Sequence, residues 1–555
     1  MEAFKVKGGR RLSGTIKPQG AKNEALQVIS AVLLTEQKVT IENIPNIIDV
    51  NRLIDLLKFL GVVIKQIDDH KYSFEAKEID IDYLKSSDFE EKAKGLRGSI
   101  MIIGPLLSRF GYASIPKPGG DKIGRRKLDT HFEGLVKLGA EFQYDKDNYR
   151  YNVNGSSLKG TYILLDQPSV TGTANIVMTA SLTDGETTIY NAACEPYIQQ
   201  LCLMINEMGG DISGIGSNLL KINGVKSLFG CTHKIQPDII EIGSWIGLAA
   251  LTKSDIKIEG VELKSLDQIL NVFSKLGITI EKNNNSIRIP SHKNGYEIQN
   301  NIDGSVLTIS DGPWPLFTPD LISIVLVVAT QARGSVLIHQ KMFESRLFFV
   351  DKLIDMGAKI ILCDPHRAVV IGHGFKSNLK STKMTSPDIR AGISLLIAAL
   401  SAEGTSVIHN IEQIDRGYEN IDGSVLTISD GPWPLFTPDL ISIVLVVATQ
   451  ARGSVLIHQK MFESRLFFVD KLIDMGAKII LCDPHRAVVI GHGFKSNLKS
   501  TKMTSPDIRA GISLLIAALS AEGTSVIHNI EQIDRGYENI DGRLNRIGAS
   551  IERFR

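Results

Sequence analysis

Apolar and polar positions along the chain follow a helical period and then a strand period, with a glycine at each change. In LLKFLGVVI, LVKLGAEF and VFSKLGITI, the apolar face of an amphipathic helix ends at the glycine, and alternating residues continue as a strand. Glycine after a helix adopts the left-handed conformation without the strain that a side chain would cause. The pattern therefore predicts helix ends at Gly61, Gly139, Gly209, Gly277, Gly357, Gly476 and Gly548.

A second helix, followed by a turn and another strand, lies between these segments, as in TASLTDGETTIYNA and IAALSAEGTSVIHN. Helix and strand thus alternate twice within a unit of roughly 70 residues, and six such units remain once an internal repeat is counted a single time. A unit of this size cannot bury both of its faces alone. We therefore expect an α/β protein with two domains, each formed by three units around a shared core.

The internal repeat is identical in every letter: residues 301–419 recur as residues 420–538, an offset of 119 positions. Such identity indicates a recent tandem duplication or an error in the gene record. The repeat is not a whole number of units, because the helix and strand at 543–551 follow only the second copy. We expect one copy to be extra, looped out or folded as an incomplete appendage, and the sequence leaves open which one. Its apolar helix LISIVLVVA would then be exposed and favour aggregation or swapping between chains.

Composition and charge exclude several classes of function. With 43% hydrophobic and 22% charged residues, the chain of 555 residues is typical of soluble globular proteins. Its net charge of +1 and aromatic content of 6% do not favour nucleic acid binding. The longest apolar run, 321–329, is too short to span a membrane, and the N-terminal residues lack the apolar segment of a secretory signal. The five cysteines form no CxxC pair, so we expect reduced core thiols, a cytoplasmic location, and no metal or organic cofactor.

The most chemically informative stretch is 114–127, SIPKPGGDKIGRRK. Two prolines and three glycines favour a loop over a helix or a central strand. Five of its side chains are cationic, and a single carboxylate, Asp121, lies among them. Such a loop can close over an anionic substrate and deliver a proton to it from Asp121. The alternative is a solvated surface loop without a function of its own.

Lysine and asparagine at a helix start form a second candidate site. Lys22 and Asn23 follow Gly20 in PQGAKNEAL, where the unpaired N–H groups of a helix N-terminus attract an anion. An ordinary helix cap is the alternative. Arg97 opens the apolar helix LRGSIMIIGPLL, and 169–173 form a turn of small residues suited to phosphate or sugar hydroxyls.

An aspartate and three arginines recur at element boundaries in the repeated region. Asp320 follows the proline-rich segment DGPWPLFTP, where an ordinary N-cap is the alternative. The arginines are Arg346 in FESR, Arg390 in SPDIR and Arg416 in DRGYE, with Asp439, Arg465, Arg509 and Arg535 as the equivalent residues of the second copy. Guanidinium groups pair with carboxylate and phosphate bidentately, so three of them predict a clamp for such an anion.

Together these stretches resemble the enolpyruvyl transferases, and among them the members that act on UDP-N-acetylglucosamine. The matching segments are KVKGGRRLSGTIKPQGAKNEAL, LRGSIMIIGPLLSRFG, PGGDKIGRR, FESR, DIRAG and DRGYE, which span nearly the whole chain apart from the extra copy. The resemblance implies transfer of the enolpyruvyl group of phosphoenolpyruvate to the 3′-hydroxyl of UDP-N-acetylglucosamine with release of phosphate, the first committed step of peptidoglycan synthesis. It also implies a two-domain inside-out α/β barrel with the active site in the cleft, one domain being 22–229 and the second 1–21 with 230–555.

The resemblance also implies roles for individual residues. Lys22, Arg126 and the three arginines of either copy resemble the phosphoenolpyruvate-binding set. The residues that resemble the family's contacts to the nucleotide sugar are Asn23, Arg97, Asp129, Ser169, Val170 and Thr171. The substrate-binding set also includes Lys127, Leu128, Met342 and Met461. Asp320, or Asp439 in the second copy, resembles the base that removes the hydroxyl proton of the sugar.

Asp121 stands where most members of the family have a cysteine, and there it would supply the proton to the methylene carbon of phosphoenolpyruvate. A free aspartate has a pKa of about 3.9, so its protonation at pH 7 costs roughly 4 kcal/mol. Neighbouring lysines and arginines increase this cost, whereas lid closure beside the anionic substrate reduces it. We therefore expect Asp121 to act as an acid only in the closed, substrate-bound state. We also expect insensitivity to fosfomycin, which alkylates that cysteine in the family.

Two other functions remain open at this stage. The sister activity on shikimate 3-phosphate usually shows an SKS triplet where this chain has AKN, and a GNAGT-like motif that the chain lacks. A non-catalytic homologue that binds the nucleotide sugar is the other alternative, because the repeat would disrupt the second domain if it displaced the arginine clamp. We expect a monomer with small-molecule substrates only, unless the repeated segment drives swapping.

Overall fold

The computed structural model describes residues 3–119, 128–343, 346–376, 378–419, 426–429, 440–451, 454–459, 466–483, 485–491, 498–535, 537, 539–546 and 548–554. The chain divides into two compact units, Met1–Glu419 and Asn420–Arg555, which we call unit 1 and unit 2. A search of the described part of the chain finds no helix that is long and apolar enough to cross a membrane.

Helices and strands alternate throughout unit 1. Its α-helices are α1 (Lys22–Ala31), α2 (Ile48–Phe59), α3 (Ser87–Lys94), α4 (Ile103–Phe110), α5 (Asp129–Lys137), α6 (Val170–Ala180), α7 (Pro196–Glu207), α8 (Ile239–Leu251), α9 (Asp267–Lys275), α10 (Ile322–Ala329), α11 (Val350–Asp355), α12 (Ile389–Ser401) and α13 (Glu412–Asp415). Short 3-10 turns lie at 32–34, 82–85, 97–102, 263–265 and 319–321.

The strands of unit 1 are short and form several small sheets. They are β1 (Ala3–Lys7), β2 (Ser13–Ile16), β3 (Val39–Glu42), β4 (Val63–Asp68), β5 (Lys71–Glu75), β6 (Tyr112–Pro116), β7 (Glu141–Asp145), β8 (Arg150–Asn154), β9 (Tyr162–Leu164), β10 (Glu186–Tyr190), β11 (Asp211–Ser213), β12 (Leu219–Asn223), β13 (Thr232–Lys234), β14 (Asp255–Glu259), β15 (Glu281–Asn283), β16 (Ser286–Ile289), β17 (Leu307–Ser310), β18 (Ser335–His339), β19 (Lys359–Asp364), β20 (Arg367–Ile371), β21 (Lys383–Thr385) and β22 (Thr405–His409).

The sheets repeat one arrangement of strands. The orders β4-β5-β3-β13, β11-β12-β10-β9, β15-β16-β14-β2 and β19-β20-β18-β17 are equivalent. In each sheet the first three strands are antiparallel, and the last strand runs parallel to the third. Two further sheets, β1-β22-β21 and β6-β8-β7, have three strands within the described residues. The repeated order reflects the repeated helix–glycine–strand pattern of the sequence.

The N-terminal strands belong to sheets formed by much later parts of the chain. Strand β1 pairs antiparallel with β22, and β2 pairs parallel with β14. The chain then passes close to its own later segment, where the Ala21 N–H donates to the Gln236 carbonyl over 2.8 Å and the Asp238 N–H donates to the Gln19 carbonyl over 2.9 Å. These two bonds place the start of α1 beside the start of α8.

Helix α8 lies at the centre of the core formed by the later half of unit 1. All of its residues are buried, and it packs against α10 and α12. Gly243 and Gly247 permit this close approach, because a Cβ atom at either position would lie 2.5 Å from a side-chain carbon of Leu321 or Ile324. Helix α10 is also fully buried, so these two helices lie inside the core. This mixed α/β architecture confirms the predicted fold class.

The glycine pattern predicted the helix ends correctly. Each of the seven glycines named above has a positive φ, between +86° at Gly277 and +100° at Gly61. At Gly277 the reason is also steric, because a Cβ atom would lie 2.2 Å from the Glu297 carbonyl oxygen. The prediction succeeds because the left-handed turn is a property of the local chain rather than of its tertiary context.

Two other predictions need correction. The segment predicted as a loop from residue 114 begins later, because Ser114 to Pro116 form the end of β6, with Pro116 opposite Arg150. Strand β6 is an edge strand, where the missing N–H of proline is tolerated. The residues 120–127, and with them Asp121, Arg126 and Lys127, lie outside the described residues. The prediction of core thiols is wrong for Cys363, which is exposed on β19.

Unit 2 contains the second copy and repeats part of this architecture. Its helices are α14 (Ile441–Gln450), α15 (Val469–Asp474), α16 (Ile508–Ser520), α17 (Glu531–Asp534) and α18 (Ile540–Asn545). Its strands are β23 (Leu426–Ser429), β24 (Ser454–His458), β25 (Lys478–Asp483), β26 (Arg486–Ile490), β27 (Leu498–Lys499), β28 (Lys502–Thr504), β29 (Ala521–Glu522) and β30 (Val526–His528). The sheet β25-β26-β24-β23 has the strand order of its counterpart in unit 1.

The apolar helix of the second copy is more exposed than the same helix in the first copy. Val447 of α14 is 59% exposed, whereas the equivalent Val328 of α10 is 0% exposed. Leu440 is 44% exposed, and its equivalent Leu321 is 0% exposed. The physical reason is that the repeat begins after α8, so the second copy has no equivalent of this helix of its own. Six of the ten residues of α14 are nevertheless buried, and the incompleteness of the second copy stays a prediction.

Candidate active site

A cavity of about 1010 Å³ lies within unit 1. It is bordered by the first turn of α1, the first turn of α6, the segment 312–320 and the start of α12. The residues predicted from the sequence that line it are Lys22, Asn23, Arg97, Asp129, Ser169, Val170, Thr171, Asp320, Met342, Arg346, Arg390 and Arg416. The fold therefore brings together side chains that are almost four hundred positions apart in the sequence.

Lys22 and Arg416 meet at one buried carboxylate, Asp49. The Lys22 ammonium lies 2.7 Å from Asp49 Oδ2, and the Arg416 Nε lies 2.9 Å from Asp49 Oδ1. Burial alone would raise the pKa of Asp49, but Lys22 and Arg416 hold it below its ordinary value. Burial lowers the pKa of Lys22 in spite of Asp49, and the nearby Arg390 and Arg416 contribute in the same direction. An ionised Asp49 thus holds two cations at the edge of the cavity.

A second group of charges surrounds Asp320. One carboxylate oxygen lies 2.8 Å from Arg346 Nη1, and the other lies 2.9 Å from Arg390 Nη2. Burial would raise the pKa of Asp320, yet the two guanidinium groups hold it well below its usual range. Arg390 also donates to the Tyr418 hydroxyl over 3.2 Å, and this hydroxyl lies 3.0 Å from Ser244 Oγ. Arg390 is therefore held from two sides.

Arg97 and the first turn of α6 also line the cavity. The Ser169 side chain caps α6 by accepting a hydrogen bond of 3.2 Å from the Gly172 N–H. The unpaired N–H groups of a helix N-terminus favour an anion. Asp129 begins α5 and is exposed. Leu128 does not line this cavity but borders a neighbouring one of about 620 Å³, which also contacts Arg97 and Asp129.

The residues of the second copy that are equivalent to these cavity residues have other surroundings or lie outside the described residues. Asp439, Met461 and Arg465 lie outside the described residues. Arg509 and Arg535 are described, and both belong to unit 2. Arg535 is exposed and donates to Gln532 over 2.9 Å, whereas its twin Arg416 is buried against Asp49. Among the described residues, those of the repeat that line the cavity of unit 1 belong to the first copy.

Sequence reasoning missed several residues of the cavity. Asp49 is an acidic residue in the first turn of α2, where a carboxylate ordinarily complements the helix dipole, so its position gave no distinct signal. Glu195 precedes Pro196 at the start of α7 and lines the cavity. Burial raises the pKa of Glu195, and among the described residues its Oε2 has no hydrogen-bond partner. Trp314 also lines the cavity, and its carbonyl accepts a hydrogen bond from Cys194 Sγ over 3.5 Å.

The geometry of Asp49 gives a testable prediction. Asp49→Asn is expected to lower the free energy of unfolding by about 3 kcal/mol, because two buried cations would lose the carboxylate between them. Urea unfolding measures the change. Asp55→Asn is the matched control, since Asp55 is an exposed carboxylate on the same helix and its loss should cost no more than about 0.5 kcal/mol. Equal losses in the two variants would contradict the prediction.

The chain matches one protein family and many curated relatives. The family described as EPSP synthase (3-phosphoshikimate 1-carboxyvinyltransferase) matches residues 6–425 and, a second time, residues 421–544. A UDP-N-acetylglucosamine 1-carboxyvinyltransferase of Bacteroides thetaiotaomicron is 60% identical over 428 residues, which cover 77% of this chain and 98% of the relative. The enzyme of the same name from Porphyromonas gingivalis is 60% identical over 422 residues, covering 76% and 97%. That of Treponema denticola is 46% identical over 422 residues, covering 76% and 96%.

Solved structures with the same fold are more distant in sequence. The enolpyruvyl transferase NikO from Streptomyces tendae superposes with a TM-score of 0.67 at 20% identity, covering 75% of this chain and 95% of that one. EPSP synthase from Acinetobacter baumannii superposes with a TM-score of 0.56 at 17% identity, covering 75% and 96%. At such identities the likeness concerns the fold alone.

Proposed function

Because the chain belongs to the EPSP synthase family of enolpyruvyl transferases, we propose that it transfers the enolpyruvyl group of phosphoenolpyruvate to the 3′-hydroxyl of UDP-N-acetylglucosamine and releases phosphate. The observation that carries this proposal is the 60% identity to UDP-N-acetylglucosamine 1-carboxyvinyltransferases over 98% of their length. The sister acceptor, shikimate 3-phosphate, is disfavoured, because the EPSP synthase from Acinetobacter baumannii is only 17% identical. The reaction would make the chain a cytoplasmic enzyme of peptidoglycan synthesis.

We propose that the residues of the cavity are divided between the two substrates. Lys22, Arg346, Arg390 and Arg416 lie together on one side and bind the carboxylate and phosphate of phosphoenolpyruvate, with Arg126 added from the loop. Cations held in place before the substrate arrives stabilise the charge that concentrates on these groups during reaction. Asn23, Arg97, Asp129 and the first turn of α6 also line the cavity and bind the nucleotide sugar. Met342, Lys127 and Leu128 complete this proposed substrate-binding set.

The proposed mechanism is an addition followed by an elimination. Asp320 takes the proton of the sugar 3′-hydroxyl while the oxygen of that hydroxyl forms a bond to C2 of phosphoenolpyruvate. Asp121 gives a proton to the methylene carbon C3. In the elimination, the bond between C2 and the phosphate oxygen breaks, the phosphate leaves with the electron pair and takes up the proton held by Asp320, and C3 returns its proton to Asp121. The enol ether is thereby restored on the sugar.

Asp320 is a weak base while both arginines contact it. An anionic substrate that attracts Arg346 and Arg390 reduces their effect on Asp320, so that its pKa rises when the substrate binds. We propose that phosphoenolpyruvate activates the base in this way. Binding of phosphoenolpyruvate is thereby linked to deprotonation of the 3′-hydroxyl of UDP-N-acetylglucosamine.

The domain organisation proposed from the sequence assigns 22–229 to one domain and 1–21, with 230 onward, to the other. The pairing of β1 with β22 and of β2 with β14 supports the assignment of the N-terminal residues. We propose that the first copy completes the second domain and that the second copy is the extra one, arising from a tandem duplication. The protein would be a monomer unless the exposed face of α14 drives swapping.

A phosphate-release assay tests the proposed function. We expect the 555-residue chain to release phosphate from phosphoenolpyruvate only when UDP-N-acetylglucosamine is present. Release with shikimate 3-phosphate instead would assign the sister activity. Binding of the nucleotide sugar without release of phosphate would assign the chain to the non-catalytic homologues, and either result would overturn the proposal.

Fosfomycin should leave the protein unmodified. A carboxylate is a far poorer nucleophile toward an epoxide than a thiolate, so no adduct is expected at Asp121, whereas Asp121→Cys should become alkylated and lose activity. Mass spectrometry of proteolytic fragments checks both variants, with the fragment containing the buried Cys202 as the internal control. An adduct on the native Asp121 would contradict the expectation.

Deletion of one copy tests whether the second copy is dispensable. Because the copies are identical, removing 301–419 or 420–538 gives the same chain of 436 residues. We expect this chain to keep its turnover number and to self-associate less, since the exposed face of α14 is removed or covered. Steady-state kinetics and sedimentation velocity measure the two effects. Loss of activity on deletion would show that the second copy contributes to the site.

A further inference from the structure

A buried histidine lies behind the first turn of α6. His131 belongs to the first turn of α5 and is 1% exposed. Its Nε2 lies 2.9 Å from Thr171 Oγ1, and its Nδ1 lies 2.9 Å from Asn175 Nδ2. Thr171 lines the large cavity, whereas His131 does not. Among the described residues, the hydrogen bond to the Thr171 hydroxyl links His131 to the lining of the cavity.

The orientation of the Asn175 amide determines which ring nitrogen of His131 carries the proton. The Gly104 N–H can only donate, and it lies 2.8 Å from Asn175 Oδ1, so this oxygen accepts. Asn175 Nδ2 then donates to the Ile100 carbonyl over 2.9 Å and to His131 Nδ1. Since Nδ1 accepts, the proton of the neutral ring lies on Nε2, which donates to Thr171 Oγ1.

The surroundings of the ring keep it neutral. Burial lowers the pKa of His131 to about 3, and the nearby Arg97 contributes in the same direction. A second proton would have to lie on Nδ1, where it would face the donating amide of Asn175. The hydrogen-bonding pattern therefore admits one protonation state near neutral pH.

We propose that His131 is a positioning residue that makes Thr171 a hydrogen-bond donor toward the nucleotide sugar. Thr171 Oγ1 accepts from His131 Nε2, so the proton of the Thr171 hydroxyl is directed at another acceptor. The cavity beside Ser169 and Arg97 offers the place for one, and the proposed function, on which this inference rests, supplies phosphate oxygens of the nucleotide diphosphate there. A threonine hydroxyl without the histidine would rotate freely and donate less effectively.

The chain allows an experiment with matched variants. In the full chain, Thr171→Val removes the hydroxyl and Thr171→Ser keeps it. His131→Asn keeps an acceptor at the position of Nδ1 but loses the donor to Thr171, whereas His131→Gln keeps a donor at the position of Nε2. Calorimetric titration with UDP-N-acetylglucosamine and steady-state KM values for both substrates are the readouts, and circular dichroism verifies that each variant is folded.

We expect Thr171→Val and His131→Asn each to weaken binding of UDP-N-acetylglucosamine by about tenfold, as for loss of one hydrogen bond to a charged group. The KM for phosphoenolpyruvate should stay unchanged, and Thr171→Ser and His131→Gln should bind almost as the native chain does. In the Thr171→Val background, His131→Asn should have no further effect, because the two residues act through one hydroxyl.

The outcomes separate this inference from the proposed function. Unchanged nucleotide-sugar binding in Thr171→Val would overturn the inference, and so would independent effects of the two residues in the double variant. If the native chain binds UDP-N-acetylglucosamine and the variants behave as expected but no phosphate is released, the inference stands and the proposed function fails. If the native chain does not bind this compound, both fail.

Discussion

Arg416→Ala is expected to lower kcat/KM by about 10²- to 10³-fold, while Arg535→Ala, the same change in the second copy, should leave it unchanged. Arg416 is buried and contacts Asp49 through two nitrogens, at 2.9 Å and 3.3 Å, beside Lys22. Arg535 is exposed and contacts Gln532. The two variants carry the same substitution in the same local sequence, so they differ only in the site that each residue occupies.

Steady-state kinetics with purified variants measure the difference. Much of the loss of kcat/KM in Arg416→Ala should come from a higher KM for phosphoenolpyruvate, because the proposed role of the guanidinium is to hold this anion. A comparable loss in both variants would mean that the second copy contributes to catalysis. A loss in Arg535→Ala alone would reverse the assignment of the copies.

Asp320→Asn is the second change with a large expected effect. We expect kcat to fall by about 10²- to 10⁴-fold, the usual contribution of a general base, with a much smaller change in the affinity for UDP-N-acetylglucosamine. Asparagine has nearly the same shape and accepts a hydrogen bond from the sugar hydroxyl, but it cannot take its proton. Rapid-quench measurement of the addition step and calorimetric binding separate the two effects.

Asp439→Asn is the corresponding control, since the cavity of unit 1 is lined by Asp320 of the first copy. This variant should turn over at the native rate. If Asp320→Asn loses nucleotide-sugar affinity as strongly as it loses kcat, Asp320 is a binding residue rather than the base.

The sequence predicted the fold where local chemistry determines it. The glycines at 61, 139 and 277 end helices in the left-handed conformation because only the local backbone matters there. The repeated order of strands also follows the repeated pattern. The predicted start of the loop at residue 114 was wrong, because Ser114 to Pro116 belong to a strand that pairs with residues 150–152 of β8. This pairing depends on a distant part of the sequence.

The family resemblance named many of the residues that line the cavity. The sequence did not point to residues whose role depends on tertiary contacts. Asp320 and Arg390 were predicted, but the ion pair that joins them was not, because it unites elements 70 positions apart. Asp49 was missed altogether, although it holds Lys22 and Arg416 in place. Its role exists only once α2 packs beside α1, and the sequence of α2 shows no more than an amphipathic helix with an acidic first turn.

Helix α8 packs against α10 and α12 of the first copy, and the second copy has helices of the same sequence that could compete for these contacts during folding. The repeated residues have the same side chains in both copies, so their own contacts with α8 do not favour one copy over the other. The copies differ in the residues that follow them, since 543–551 follow only the second copy, and in the length of chain that separates them from α8. Loop-closure entropy changes by only about 0.6 kcal/mol for each doubling of that length. The ribosome, however, delivers the first copy before the second exists, and N-terminal parts fold first during synthesis. We therefore expect the order of synthesis to favour the first copy as the one that completes the cavity.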